Sequence, residues 1–168
     1  MAVELVAVPR SVARRLRLEA EKRGLTLEEY LVEIATQSLD PPERAREYLE
    51  AARELLEQAR MELERGDLRQ ATEKLWGAAA LAVKAYAAWK EGKRLKSHGE
   101  LWEYAPRMRK ELGKWVYNSW MAANGMHTCF YEGWCAKEDA LDALEEIEKL
   151  VEEVEKKIRQ RPKDTKKS

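Results

Sequence analysis

The chain has 168 residues, with 31 Lys+Arg against 31 Asp+Glu, 37% charged and 45% hydrophobic. A chain of this length is expected to form one domain with room for an appendage. Its apolar content excludes general disorder and any need for disulfide or metal staples. No run approaches the roughly 18 apolar residues of a membrane span, and no basic segment precedes an apolar stretch at the N-terminus, so a cytoplasmic chain is expected.

Residues 3 to 8 (Val-Glu-Leu-Val-Ala-Val) are the one stretch with strand character, closed by Pro9. A first helix is predicted from Ser11 to Arg23, stopping at Gly24. Thr26 followed by Glu29 is a capping box that opens a second, short helix through Gln37. Asp40-Pro41-Pro42 breaks the chain and starts a third helix at about 42 to 65, whose apolar face is Ala45, Tyr48, Ala52, Leu55, Ala59 and Leu63. After Gly66, Asp67 is a good N-cap for a fourth helix rich in alanine, closed by Gly92. Ser97 with Glu100 forms a second capping box, for a fifth helix to about Leu112. Residues 114 to 132 read as a sixth, interrupted or bent at Gly125, and 137 to 160 as a seventh with a clean heptad from Ala140 to Ile158. Two long helices joined by a two-residue turn must form an antiparallel hairpin. The expected architecture is all-α: an antiparallel four- or five-helix bundle over 39–160, preceded by a strand-helix-helix segment over 1–38 and followed by a basic, frayed tail over 161–168.

The zero net charge hides segregation. The segments 1 to 25, 90 to 114 and 155 to 168 carry +3, +4 and +5, whereas 26 to 66 and 115 to 154 carry −6 and −7. Each basic block can meet a polyanion or pair with the acidic helices of this chain or a second copy, and pairing is the preferred expectation. Asn (two residues) and Gln (four) are scarce beside Glu, Lys and Arg, a heat-adapted bias.

No phosphate-cradling glycine loop, HExxH or G-x-S-x-G elbow is present. Cys129 and Cys135 are six apart without a Cys-x-x-Cys, and only His98 and His127 offer imidazoles, so no metal and no cofactor is expected. Both cysteines read as ordinary thiols, with a disulfide left open by the heat-adapted composition. Asn124, His127 and Tyr131 fall on one helical face near Glu132, and a histidine beside an amide and a phenol can act as a general acid-base group or sit hydrogen-bonded in a bundle. Lys74 and Lys84 stand on an otherwise apolar helix, which places them at an edge or facing a ligand. The basic connection adds Lys96, His98 and Arg107 as ligand-binding candidates.

Three blocks, GDLRQATEKLWGAAALAVKA at 66 to 85, SHGELWEY at 97 to 104 and MHTCFYEGW at 126 to 134, resemble the archaeal Pyrobaculum-repeat (PaREP) family of the HEPN superfamily. The resemblance implies a dimeric antiparallel bundle that binds RNA or a nucleotide, or a toxin-like, metal-independent endoribonuclease paired with a small nucleotidyltransferase, or an antitoxin-like module that docks a protein partner. Active members use an Arg, four to six residues, then His. His127 matches the histidine, whereas the arginine's place holds Trp120, Met121 and Ala122, so a noncatalytic member is expected. The segment before it resembles a ribbon-helix-helix module, which implies a homodimer paired through its strand, with Arg10, Arg14, Arg15 and Arg17 available for nonspecific nucleic-acid contact.

Overall fold

A computed structural model of the chain describes residues 4–160. Among them are seven helices: α1 (Arg10–Lys22), α2 (Leu27–Ala35), α3 (Pro41–Arg65), α4 (Leu68–Glu91), α5 (His98–Leu112), α6 (Trp115–Glu132) and α7 (Lys137–Arg159). Side-chain caps set the starts where the sequence offers them. Asp40 accepts from the Glu43 N–H at 3.0 Å, Asp67 from Gln70 at 3.0 Å and Ser97 from Glu100 at 3.2 Å. At α2 the capping box closes in both directions, Thr26 N–H donating to Glu29 at 2.9 Å and Glu29 N–H to the Thr26 hydroxyl at 3.1 Å. The α3–α4 hairpin turns at Gly66, whose φ of 82° is a left-handed conformation that a side chain would oppose.

Helix α4 is the axis of the molecule. It packs against α3, α5, α6 and α7, and α2 also rests on it. From Leu75 to Ala88 every residue of α4 is buried, so the helix is enclosed on all sides. Small residues permit this close approach: a Cβ added at Gly77 would lie 3.0 Å from Leu55 Cδ1 of α3. The helices α3, α4, α6 and α7 form the bundle, and α5 lies against α4 and α6.

Two expectations are corrected. The strand over 3 to 8 does not form within the described part of the segment: residues 4–9 are irregular and exposed, with Leu5 93% and Val6 77% accessible. A lone strand has no ladder to satisfy its backbone, so one chain by itself gives it nothing to pair with. The bend at Gly125 is absent, since α6 runs through it without interruption. A solvent-facing glycine weakens a helix by roughly 1 kcal/mol, which the packing of an 18-residue helix absorbs. The 161–168 tail and Val3 lie outside the described residues.

Candidate functional site

Three helices meet at a cluster of rings. Trp76 comes from the middle of α4, His98 opens α5, and His127 lies in the last third of α6. The Trp76 ring stacks on His98 at 4.8 Å between centroids and meets His127 at 4.6 Å, while the two imidazoles lie 4.8 Å apart, edge to face. Tyr131, one turn after His127, approaches its ring edge-on at 5.1 Å. Burial, reinforced by the neighbouring His98, lowers the His127 pKa to about 4. At neutral pH His127 is therefore an uncharged imidazole, fit to stack and to hydrogen-bond. As a base it lies far below the pKa near 7 that suits proton abstraction at neutral pH.

One side of this cluster is acidic. Tyr131 has its pKa raised by burial and then by the charges of Glu73, Glu29 and Glu21. Glu73 is itself raised by burial and by Glu28, and Glu29, fully buried, is raised by burial against the opposing pull of Lys84 and Thr26. The lysines proposed as ligand contacts are engaged here. Lys74 pairs with Glu28, and Lys84, with no exposed side-chain surface, places its ammonium 2.9 Å from Glu33 Oε1. The same carboxylate accepts from the Tyr48 hydroxyl at 2.8 Å and from Arg94 Nε at 3.1 Å, and Arg94 also donates to the Glu33 carbonyl at 2.9 Å. Glu33 thus pins α2 to α3, α4 and the α4–α5 connection at once. Burial alone would raise its pKa, but the Lys84 charge and the three hydrogen bonds outweigh it, and the carboxyl falls below its usual value.

The remaining candidates lie apart. Asn124 turns back on its own helix, its amide donating to the Trp120 carbonyl at 2.8 Å, and so does not orient His127. Glu132 is exposed at the end of α6, and Arg107 pairs with Glu91 on the surface. Lys96 is exposed, while its backbone N–H donates to the Glu100 carboxylate that completes the α5 cap. Arg10, Arg14 and Arg17 share one exposed face of α1, and Arg15 pairs with Glu19. No group of three His, Cys, Asp or Glu among the described residues could hold a metal. Cys129 and Cys135 are bonded to each other, which replaces the ordinary-thiol expectation and ties the loop after α6 to its last turn. The sequence carried no signal for Trp76 or Glu33 as site-forming residues. Their partners lie on other helices, beyond the reach of any spacing rule.

Beyond the rings, the basic connection divides in two. Of the cations between 90 and 114, Arg94 and Arg107 are paired with carboxylates and Lys90 at the end of α4 lies over the Trp89 ring, whereas Lys93, Lys96, Arg109, Lys110 and Lys114 form no ion pair among the described residues. No helix among the described residues is long and apolar enough to cross a membrane.

A sequence model of the archaeal PaREP1/PaREP8 family matches residues 47–151, which run from α3 into α7 and include Trp76, His98 and His127. No curated protein and no solved structure matches the chain.

Proposed function

The chain belongs to the archaeal PaREP1/PaREP8 family, and from that premise we propose that it is a homodimeric module that binds RNA or a nucleotide without cleaving it. The observation that carries this reading is the set of five cations on the α4–α5 connection, α5 and the start of α6 that the fold leaves unpaired: Lys93, Lys96, Arg109, Lys110 and Lys114. Arg53, Arg60, Lys74 and Lys84 of the bundle find carboxylates at close range, whereas these five, with no ion pair among the described residues, are available to phosphate. The HEPN resemblance adds the ribonuclease comparison. Where an active member has its arginine, Trp120 is 3% exposed and packs against Trp76 at 5.5 Å, so the developing charge of a phosphorane would find an indole in place of a guanidinium. His127, with its pKa near 4, is poorly matched to the base role. The homodimer rests on the exposed apolar arm, where Leu5, Val6, Val8, Val12 and Leu18 face solvent in the single chain.

The test is binding of a labelled single-stranded oligoribonucleotide by fluorescence anisotropy across a salt series, with chelator present and the RNA recovered on a gel. The expected result is intact RNA and an affinity that falls with salt, with a log–log slope of about −0.7 per phosphate contacted. Exchanging Lys96, Lys110 and Lys114 together for glutamate should weaken binding at least about tenfold and flatten that slope. Cleavage that vanishes in His127→Ala would replace this reading with the endoribonuclease one. Affinity indifferent to salt would remove phosphate contact altogether.

A further inference from the structure

The ring cluster does not end at the histidines. Trp76 passes the chain of contacts to Trp120 at 5.5 Å, and Trp120 meets Trp102 of α5 edge-on at 5.6 Å. Beyond Trp120 the surface opens into a groove of about 120 Å³ between α5 and α6, bordered by Trp102, Pro106, Arg109, Tyr117, Trp120 and Met121. Large apolar side chains lie open here. Trp102 is 44% exposed, Tyr117 47% and Met121 40%.

We propose that this groove holds a single nucleobase, with Arg109 placed for the phosphate attached to it. The proposal rests on the nucleic-acid reading above and names the part of the ligand that the aromatic face takes.

Three observations select this occupant. The first is the lining: Trp102 and Tyr117 present half-exposed aromatic rings to the groove. Open π-faces suit a flat heteroaromatic ring better than an aliphatic side chain. The second is charge. Arg109 lies 5.8 Å over the Tyr117 ring and has no carboxylate partner among the described residues. The opposite side of the ring cluster carries Glu28, Glu29 and Glu73, so a phosphate is repelled there and attracted here. The third is size: the cavity takes one planar ring system, whereas a helix with its side chains is about 10–12 Å across. Half-exposed aromatics beside cations are the arrangement on which single-stranded bases stack regardless of sequence.

The base can come from a free nucleotide or from RNA, and two titrations of the full-length protein separate them. In the first, the indole N–H resonances of 15N-labelled protein are followed during addition of AMP, UMP and ribose 5-phosphate. Saturable shifts at Trp102 and Trp120 are expected with AMP and UMP, and none with the sugar phosphate. In the second, a labelled hexaribonucleotide is bound by wild type, Trp102→Ala, Tyr117→Ala and Arg109→Gln. Loss of a stacking face should weaken binding by about tenfold in each aromatic variant, with the salt slope unchanged, while Arg109→Gln should also flatten the slope by about 0.7. If wild type, Trp102→Ala and Tyr117→Ala bind the hexamer alike, the groove proposal is overturned and the RNA reading survives. If AMP shifts the indoles but the hexamer does not bind, the groove stands and the RNA reading falls to a nucleotide one. Indole shifts that follow protein concentration alone would make the groove a contact between copies and overturn the base site.

Discussion

Lys84 shows how one residue can organise a region. Its ammonium is enclosed in the bundle, 2.9 Å from Glu33, and no water reaches it. Removing the lysine leaves a buried carboxylate with one counter-charge fewer, so Lys84→Ala is expected to cost about 3 kcal/mol in urea unfolding, in the range for breaking a buried pair. Replacing both partners by Lys84→Met with Glu33→Leu should not recover that loss, because Tyr48 and Arg94 would then lose their acceptor. His127 gives the pH prediction. Unfolded, its imidazole binds a proton below pH 6.5; folded, it does so only below about 4. The unfolded chain therefore holds more protons in that window, and stability falls as pH drops from 6.5 toward 4. Glu33 adds a loss of the same sign below pH 4.5, because its folded carboxyl is depressed and its favourable charge disappears as pH falls through the folded value; Glu29, raised, acts in the opposite sense. Melting temperature against pH should show the upper step, His127→Gln should remove it, and an NMR titration of the His127 ring should have its midpoint near 4. A midpoint near 6.5 would place the ring in solvent and dissolve the cluster described above.

At the scale of the helix, α4 depends on small residues facing α3. Gly77 has Leu55 where a side chain would go, so Gly77→Leu is expected to destabilise by about 2 kcal/mol through overpacking, despite the better helix propensity of leucine. Chemical denaturation checks it, and an unchanged midpoint would show that the hairpin has slack. The disulfide between Cys129 and Cys135 closes a short loop at the end of α6, and Cys135→Ser should cost about 2 kcal/mol by the chain-entropy relation while leaving the helical circular dichroism intact. Elements of this kind were largely legible in the sequence. Asp40, Asp67, Ser97 and the Thr26–Glu29 box marked helix starts within a residue or two, because capping is a contact between near neighbours in the chain. Gly125 misled for the complementary reason: a local propensity of about 1 kcal/mol was set against packing that the sequence does not display.

For the whole molecule, the alternating charge of the chain becomes a set of specific pairs. Arg53 meets Glu155 and Arg60 meets Glu148 across α3 and α7, and α2 delivers Glu28 and Glu33 to the lysines of α4. The N-terminal unit is the exception: α1 packs chiefly on α2 and buries only Ala20, with a row of aliphatic side chains left in solvent. A second copy would cover them. Light scattering at micromolar concentration should give twice the 19.5 kDa chain mass, and Leu5→Ser with Val6→Ser should return the single chain; a monomeric wild type would refute the dimer. By itself, the sequence determined an all-helical bundle with seven helices and most of their ends, since periodicity and capping act over three or four residues. Only the tertiary structure decided that Lys84 is a buried anchor and no edge lysine, that His98, His127 and Trp76 form one cluster, and which cations remain free. Those facts depend on which helix faces which, and that is set by packing between residues tens of positions apart.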